Sequence, residues 1–407
     1  MSRRLAQLRM ELDFFPSPIE DRPGLVLRDP YRYSDTTLIL PPLFAQALSF
    51  YDGEHTDLDI RAHFAEVTGE LQVSEMAAHL DEALSTAGFL HDDAFYALRD
   101  KAWHEFADAP DRQAAHAREG GYPEDPAELE RTFDEYLAGE DAKADENLIA
   151  IAAPHVSPFG GVASYRAAYR SLGSSHRDRT FVILGTSHYG APDRLGLTKK
   201  DFVTPYGTAR TDQALVAKLA ADCGSGAAME DYCHSFEHSI EFQVVFLQHV
   251  YGPDVKILPI LVGSYATSLM SGAAPEAGDG VKRLLDGLSE LHAREGKRLC
   301  WVLGVDMAHM GARYGDEAAA EANRGAMEEV ALRDRARIER LSEGDADGFW
   351  RLVQPNHDDL KWCGSAPFYT FLKAVPEARG SLRNYEQWNI DEGSVVTFAG
   401  MSFRGTR

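Results

Sequence analysis

Two kinds of hydrophobic patterning divide the chain. From residue 147 onward, short runs that are apolar at nearly every position alternate with longer stretches in which apolar residues recur every three or four positions. NLIAIAAPH, RTFVILGTSH, VKILPILVG and RLCWVLGVDMAH are of the first kind. ASYRAAYRSL, DQALVAKLAADCG, SIEFQVVFLQHVYG, VKRLLDGLSELHA and EAAAEANRGAMEEVALRDRARIERL are of the second. A strand that is apolar on both faces needs cover on both faces, so this alternation predicts an α/β fold, a sheet covered by helices. The final stretch, SLRNYEQWNI then GSVVTFAGMSF, reads as a hairpin and makes the sheet mixed.

Before residue 147 the pattern is different. Residues 23–37 read as short extended pieces joined by turns. A helical pattern, LFAQALSFYDG, follows Pro41-Pro42 and stops at Gly53. Thr56 can cap DLDIRAHFAEVTG, closed by Gly69, and Ser74 can cap EMAAHLDEALSTAG, closed by Gly88. The expectation is a small winged-helix-like α+β domain over residues 1–100. Residues 101–146 are polar and acidic, broken at GGYPEDP, and carry one solvated helical pattern, AELERTFDEYLAG. They are expected to form an acidic linker with one helix, leaving 147–407 as the α/β domain. There is no internal repeat and no low-complexity tract.

Composition narrows the class. The 407 residues are 44% hydrophobic, 26% charged and 10% aromatic, which excludes a wholly disordered or fibrous chain. No apolar run approaches the roughly 20 residues of a membrane helix, and the N-terminal stretch lacks the apolar core of a secretory signal. The net charge of −23 argues against nucleic acid or an anionic membrane as partner. Residues 1–146 hold 32 acids and 13 bases, net −19, and the remainder is net −4, which supports a boundary near residue 146. Four cysteines (Cys223, Cys233, Cys300, Cys363) do not make a disulfide scaffold, and the expected compartment is a reducing cytoplasm.

Ligands of open α/β sheets bind beyond the carboxyl ends of the strands. The run IAIAAPH delivers His155, FVILGTSH delivers His188 after Thr186 and Ser187, and LCWVLGVDMAH delivers Asp306 and His309. One such histidine is ordinarily a cap or a satisfied core residue; three at equivalent positions point to a shared site. CHSFEHSIEF adds Cys233, His234, Glu237, His238 and Glu241. The i,i+4 pair His234 and His238 is weak alone, and His234 is read as bland. KWCGSAPF places Cys363 before a helical pattern, where free N–H groups favour a thiolate. Imidazole and thiolate together suit Fe(II), Zn(II) and copper, and two histidines plus one anion leave positions open for O₂ or a substrate. A serine-hydrolase elbow, a phosphate-cradling glycine loop and an HExxH pair are all missing.

APHVSPFGG, FVILGTSHYG, FVTPYG, EHSIEFQ, LGVDMAHMG, the Cys-Gly at Cys363 and GSVVTFAG, in this order over about residues 147–402, resemble the Memo family, called AmmeMemoRadiSam system protein B in bacteria and archaea. The resemblance implies a fold similar to class III (LigB-like) extradiol dioxygenases. It implies His155, His188 and Cys363 as metal ligands, His309 with Asp306 in the acid–base position, and His238 and Glu237 in the site-lining segment. It implies iron (Fe(II)) or copper (Cu(I) or Cu(II)) as cofactor, zinc being a further candidate, and dioxygenase-like or other oxidoreductase chemistry. Cysteine in place of the dioxygenase glutamate puts ring cleavage itself in doubt, because a softer ligand shifts metal preference and potential. The segment LSFYDGEHTDLDIRAHFAE…AAHLDEALSTAGFL resembles PqqD-like peptide-binding domains, which implies a peptide or protein substrate added at a sheet edge, while the Memo family's name implies a radical-SAM partner. Two other readings stand beside it: a non-catalytic peptide-binding adaptor with a vestigial metal site, and a hydrolase with Cys363 as nucleophile and His309 as base.

Overall fold

The computed structural model describes residues 2–19, 21–118, 120–139, 145 and 147–406, so positions 140–144 and 146, the end of the expected linker, lie outside the described residues. The chain forms two compact units, Met1–Ala109 and Pro110–Arg407.

In the first unit, strands β1 (Asp13–Pro16), β2 (Leu25–Arg28) and β3 (Thr37–Leu40) form an antiparallel sheet in sequential order. Four helices follow: α1 (Pro42–Ala47), α2 (Asp57–Thr68), α3 (Ser74–Thr86) and α4 (Asp93–Asp108). Thr56 and Asp59 form the capping box that starts α2, and Gly69 ends it in the left-handed region at φ 72°. A core of Leu27, Ile60, Phe64, Leu80, Leu84 and Phe89 joins sheet and helices. Beyond the three helical patterns and the extended pieces of residues 23–37, the unit adds β1 and α4, whose N-cap is Asp92.

The second unit begins inside the stretch expected to be a linker. It contains β4 (Asp111–Arg112), α5 (Pro126–Leu137), β5 (Leu148–Ala153), α6 (Val162–Tyr169), β6 (Thr180–Thr186), β7 (Leu195–Leu197), β8 (Asp201–Thr204), β9 (Gly207–Thr211), α7 (Gln213–Cys223) and β10 (Ala227–Met229). Then come α8 (His238–Tyr251), β11 (Lys256–Val262), α9 (Ala266–Ser271), α10 (Asp279–Glu295), β12 (Leu299–Gly304) and β13 (His309–Gly311). The chain closes with α11 (Ala326–Glu343), α12 (Ala346–Val353), α13 (Ser365–Ala374) and the hairpin β14 (Ala378–Asp391) and β15 (Ser394–Gly405). The helical pattern read from Glu317 onward becomes helix only at Ala326. Asp111–Arg112 pairs with β8, and Arg112, Leu129 and Phe133 are buried, so part of the acidic stretch is body rather than tether.

The sheet is mixed and helix-covered, as the patterning predicts. Its path runs β13-β15-β5-β12-β6-β11-β9-β8-β4, with β14 along β15 and β7 along β11. β5, β12, β6 and β11 are mutually parallel neighbours. Their residues are buried on both faces, which is what continuous Val, Ile and Leu runs require. The arrangement has a direct consequence for chemistry: the carboxyl ends of β5, β12 and β6 lie side by side at one edge.

Candidate metal centre

Three adjacent parallel strands deliver the first residues of the site. Two positions past β5 stands His155, two past β6 stands His188, and two past β12, between them, stands Asp306. The fourth contributor, His238, comes from the first residue of α8, which lies against β6 and β12. Glycine makes that approach feasible. A Cβ on Gly304 would stand 2.1 Å from the Ser239 carbonyl oxygen, and one on Gly185 would stand 2.5 Å from Ser239 Oγ. Two strand ends without side chains let the N-terminus of α8 rest on the sheet, and His238 arrives with it.

His155, His188 and His238 each offer a ring nitrogen within 4.8 Å of the other two. Their ring centroids form a near-equilateral triangle of 4.9, 5.1 and 5.0 Å. In each ring Nδ1 is already engaged by an oxygen, which makes Nε2 the nitrogen to offer an ion. His155 Nδ1 donates to the Gly304 carbonyl at 2.9 Å. His188 Nδ1 donates to Glu237 at 3.1 Å, and His238 Nδ1 lies 3.2 Å from the same carboxylate. Glu237 also accepts the backbone N–H of His188, His238 and Ser239, so one buried carboxylate caps α8 and orients two imidazoles. Fixing the tautomer through the far nitrogen is how proteins prepare histidine to bind a metal.

Cys363 Sγ stands 3.3 Å from His155 Nε2 and also bonds His188. Its backbone is pinned to the strand ends: Thr186 Oγ1 donates to the Cys363 carbonyl at 3.2 Å, and the Gly364 N–H donates to the Asp306 carbonyl at 3.0 Å. Asp306 brackets His155, accepting its N–H at 2.9 Å and approaching Nε2 at 3.4 Å. His309 Nδ1 is held by the carbonyls of Met307 and Lys361, at 2.9 and 3.1 Å, and its ring packs edge-on against Tyr314. The expected trio of two histidines and Cys363 therefore appears as three imidazole nitrogens, His238 being the third, with the sulfur beside them. His234 goes elsewhere: its Nε2 bonds the Gly196 carbonyl.

Burial shapes the charges. It raises the Asp306 carboxyl to about 7 and holds the His309 imidazole near 4, so His309 is neutral at physiological pH. Burial and the neighbouring imidazoles keep His155 neutral. Burial opposes charge on His188 too, but the Glu237 carboxylate beside it prevails and raises that imidazole, while the same pairing depresses Glu237. Side chains of His188 and His238 remain 26% and 29% exposed, so the cluster opens to solvent on their side. The donor set fits a first-row transition ion: three imidazoles, of which His188 gives up its proton on binding, one thiol, and an open face.

A second cluster supports His238 from behind. Glu241, one turn along α8, is fully buried and accepts Arg112 Nη2 at 2.6 Å, the Ala115 and His116 N–H groups, His116 Nδ1 at 2.9 Å and the Tyr122 hydroxyl at 2.5 Å. The His116 ring lies 5.6 Å from that of His238. Neither Arg112 nor His116 stands out in the sequence. The available signal is Glu241 itself, a carboxylate within an otherwise apolar helix, which demands a cation from elsewhere.

A family profile described as Memo-like protein matches residues 112–402. A MEMO1 family protein of Aquifex aeolicus is 26% identical over 382 residues, 93% of this chain and 95% of that protein. Its namesake in Desulfurococcus amylolyticus is 26% identical over 63% of this chain and 83% of its own. One from Thermococcus kodakarensis, TK1477, is 31% identical over 46% of this chain and 60% of its own. The Aquifex alignment is long enough to take in most of the first unit as well. A solved structure of the uncharacterized protein JW3007 from Escherichia coli K12 overlays 63% of this chain and 99% of its own at TM-score 0.40 and 13% identity, too distant to argue from.

Proposed function

The chain belongs to the Memo-like family, and from that premise we propose that it is a metal-dependent redox protein whose ion is held by His155, His188 and His238, with Cys363 as a further, sulfur ligand. The observation that carries this reading is the set of three imidazole nitrogens within 4.8 Å of one another, their Nδ1 atoms engaged by fixed acceptors. Iron or copper is the ion proposed; thiolate beside imidazole favours the softer copper(I) and lowers the iron potential, and zinc fits the same donors. Such an ion supplies electron transfer or activation of a bound substrate at its open face.

The chain's own groups divide the remaining work. Glu237 keeps two imidazoles in the ligating tautomer. Neutral His309, its Nδ1 held by two carbonyls, keeps Nε2 as a proton acceptor, and Asp306, half-titrated near neutrality, exchanges a proton beside His155. A LigB-like dioxygenase ancestry accounts for an acid–base histidine beside a metal. We further propose that the first unit presents a peptide or protein to this site in concert with a radical-SAM partner, in a reducing cytoplasm that suits four unpaired cysteines. Among the described residues no helix is long and apolar enough to cross a membrane.

Anaerobic loading of the full-length protein with iron or copper, followed by metal analysis, tests the reading. About one ion per chain is expected, and His155→Ala should lose it while circular dichroism stays native. A folded wild-type chain that takes up no ion would overturn it. In that event retained peptide binding would favour the adaptor reading.

A further inference from the structure

Helix α11 has the composition of a solvated helix, yet Asp334 and Arg337, one turn apart on the same face, are fully buried. Asp334 Oδ1 accepts from Trp362 Nε1, and Oδ2 accepts from the hydroxyls of Tyr385 and Thr397, all at 2.7 Å. Trp362 immediately precedes Cys363. Thr397 Oγ1 in turn accepts the Ala308 N–H at 2.8 Å, and its main chain bonds Met307 and Ala308. One carboxylate thus grips both segments that flank the imidazole cluster. Arg337 adds a second anchor, donating to Asp358, which itself accepts the Trp362 N–H at 3.0 Å.

The segment that carries Cys363 needs such anchors. Asn356, His357, Asp358 and Lys361 all sit in the left-handed region, at φ 54°, 56°, 60° and 53°, where a side chain crowds the backbone. Four such residues in six positions would relax unless the surroundings held them. Three neutral donors on a buried carboxylate, with no cation bonded to it among the described residues, are an expensive way to fill a core. An apolar residue would pack there more cheaply, but it could not hold Trp362 and Thr397 in fixed places.

We propose that Asp334 is a positioning residue: through Trp362 it fixes the Cys363 sulfur against the imidazole cluster, and through Thr397 it fixes the turn from Asp306 to His309. The inference rests on reading Cys363 as part of the metal centre.

The test uses the full-length protein, cobalt(II) as probe ion, and iodoacetamide with mass spectrometry to follow Cys363, the other three cysteines being buried. Asp334→Asn and Trp362→Phe should speed alkylation of Cys363 by about tenfold or more, with or without cobalt. They should also weaken the sulfur-to-cobalt absorption while the imidazoles retain about one ion per chain. Tyr385→Phe removes a donor from the same carboxylate without touching either segment, and should leave both readouts as in wild type. Wild-type alkylation rates in Asp334→Asn and Trp362→Phe would overturn the proposal, and so would an equal acceleration in Tyr385→Phe, which would mean general loosening. If Asp334→Asn does not fold, Trp362→Phe against Tyr385→Phe decides. If wild type binds neither cobalt nor iron nor copper, the metal reading falls, and the rates in the metal-free proteins decide this proposal alone.

Discussion

Replacing Glu237 by glutamine isolates the preparation of the imidazoles from their presence. The substitution conserves shape but turns one acceptor oxygen into a donor. Glu237 Oε1 accepts the N–H groups that open α8, and Oε2 accepts the His188 N–H at 3.0 Å. A glutamine that keeps its oxygen on the helix cap must aim its NH₂ at His188, where two donors then face each other. The His188 main-chain N–H then loses its acceptor, and the ring escapes by exchanging tautomers, accepting at Nδ1 and carrying its proton on Nε2, the nitrogen needed by the ion. All three ligating rings remain, but one is wrongly protonated. Loss of such a supporting group typically costs 10–100-fold in metal affinity, about 1.4–2.7 kcal/mol. Stability should change less, because the cap survives. Competition titration against a chelator, under argon, gives the affinity; thermal melting of the metal-free proteins gives the stability. Unchanged affinity in a folded Glu237→Gln protein would refute the argument that this carboxylate sets the tautomer. A melting temperature that collapses with the affinity would refute the separation of capping from ligation.

Three further outcomes follow from the geometry. His238→Ala should lose the ion as completely as His155→Ala does, whereas Cys363→Ser should keep an ion with altered absorption; the reverse order, read by metal analysis, would make the sulfur the third ligand and His238 a bystander. Glu241→Gln leaves buried Arg112 without its counter-charge and should destabilise the protein by about 3–5 kcal/mol at pH 7 in urea unfolding. Burial opposes ionisation of Glu241, but Arg112 and His116 prevail and hold its carboxyl far below the ordinary range, so its contribution is complete above the unfolded value of about 4.3 and fades as pH falls towards the native one. The gap between wild type and variant should therefore narrow in acid, and a gap that widens would contradict the assignment. Gly304→Ala drives a Cβ into the Ser239 carbonyl, and should either abolish soluble expression or lift α8, with loss of ion binding in the soluble fraction.

How much of this was legible in the sequence depends on whether a residue's neighbours are set by local pattern or by distant pairing. The rule that ligands gather at carboxyl strand ends finds His155, His188 and Asp306, because runs such as TFVILGT and LCWVLG can only be central parallel strands. The strand order, with β12 between β5 and β6, is not written in any one run, yet it is what puts Asp306 between the two histidines. His238 is visible only as half of an i,i+4 pair with His234, and that pairing misleads. The helix begins at His238, with Glu237 as its cap, so the two histidines never share a helical face. The acidic stretch before residue 147 misleads for a related reason. Its charge says solvent, but Arg112 is buried because Glu241 awaits it 129 positions later. Asp334 and Arg337 repeat the lesson in α11. In each case a charged residue sits inside because its partner is there, and a composition count cannot see a partner. A useful inversion follows: a lone carboxylate inside an apolar helix, as in SIEFQVVFLQ, is itself a sign that some distant, polar-looking segment folds back to meet it. Applied to this chain, that reasoning would have moved the start of the second unit from residue 147 to the neighbourhood of Arg112, where the compact unit begins.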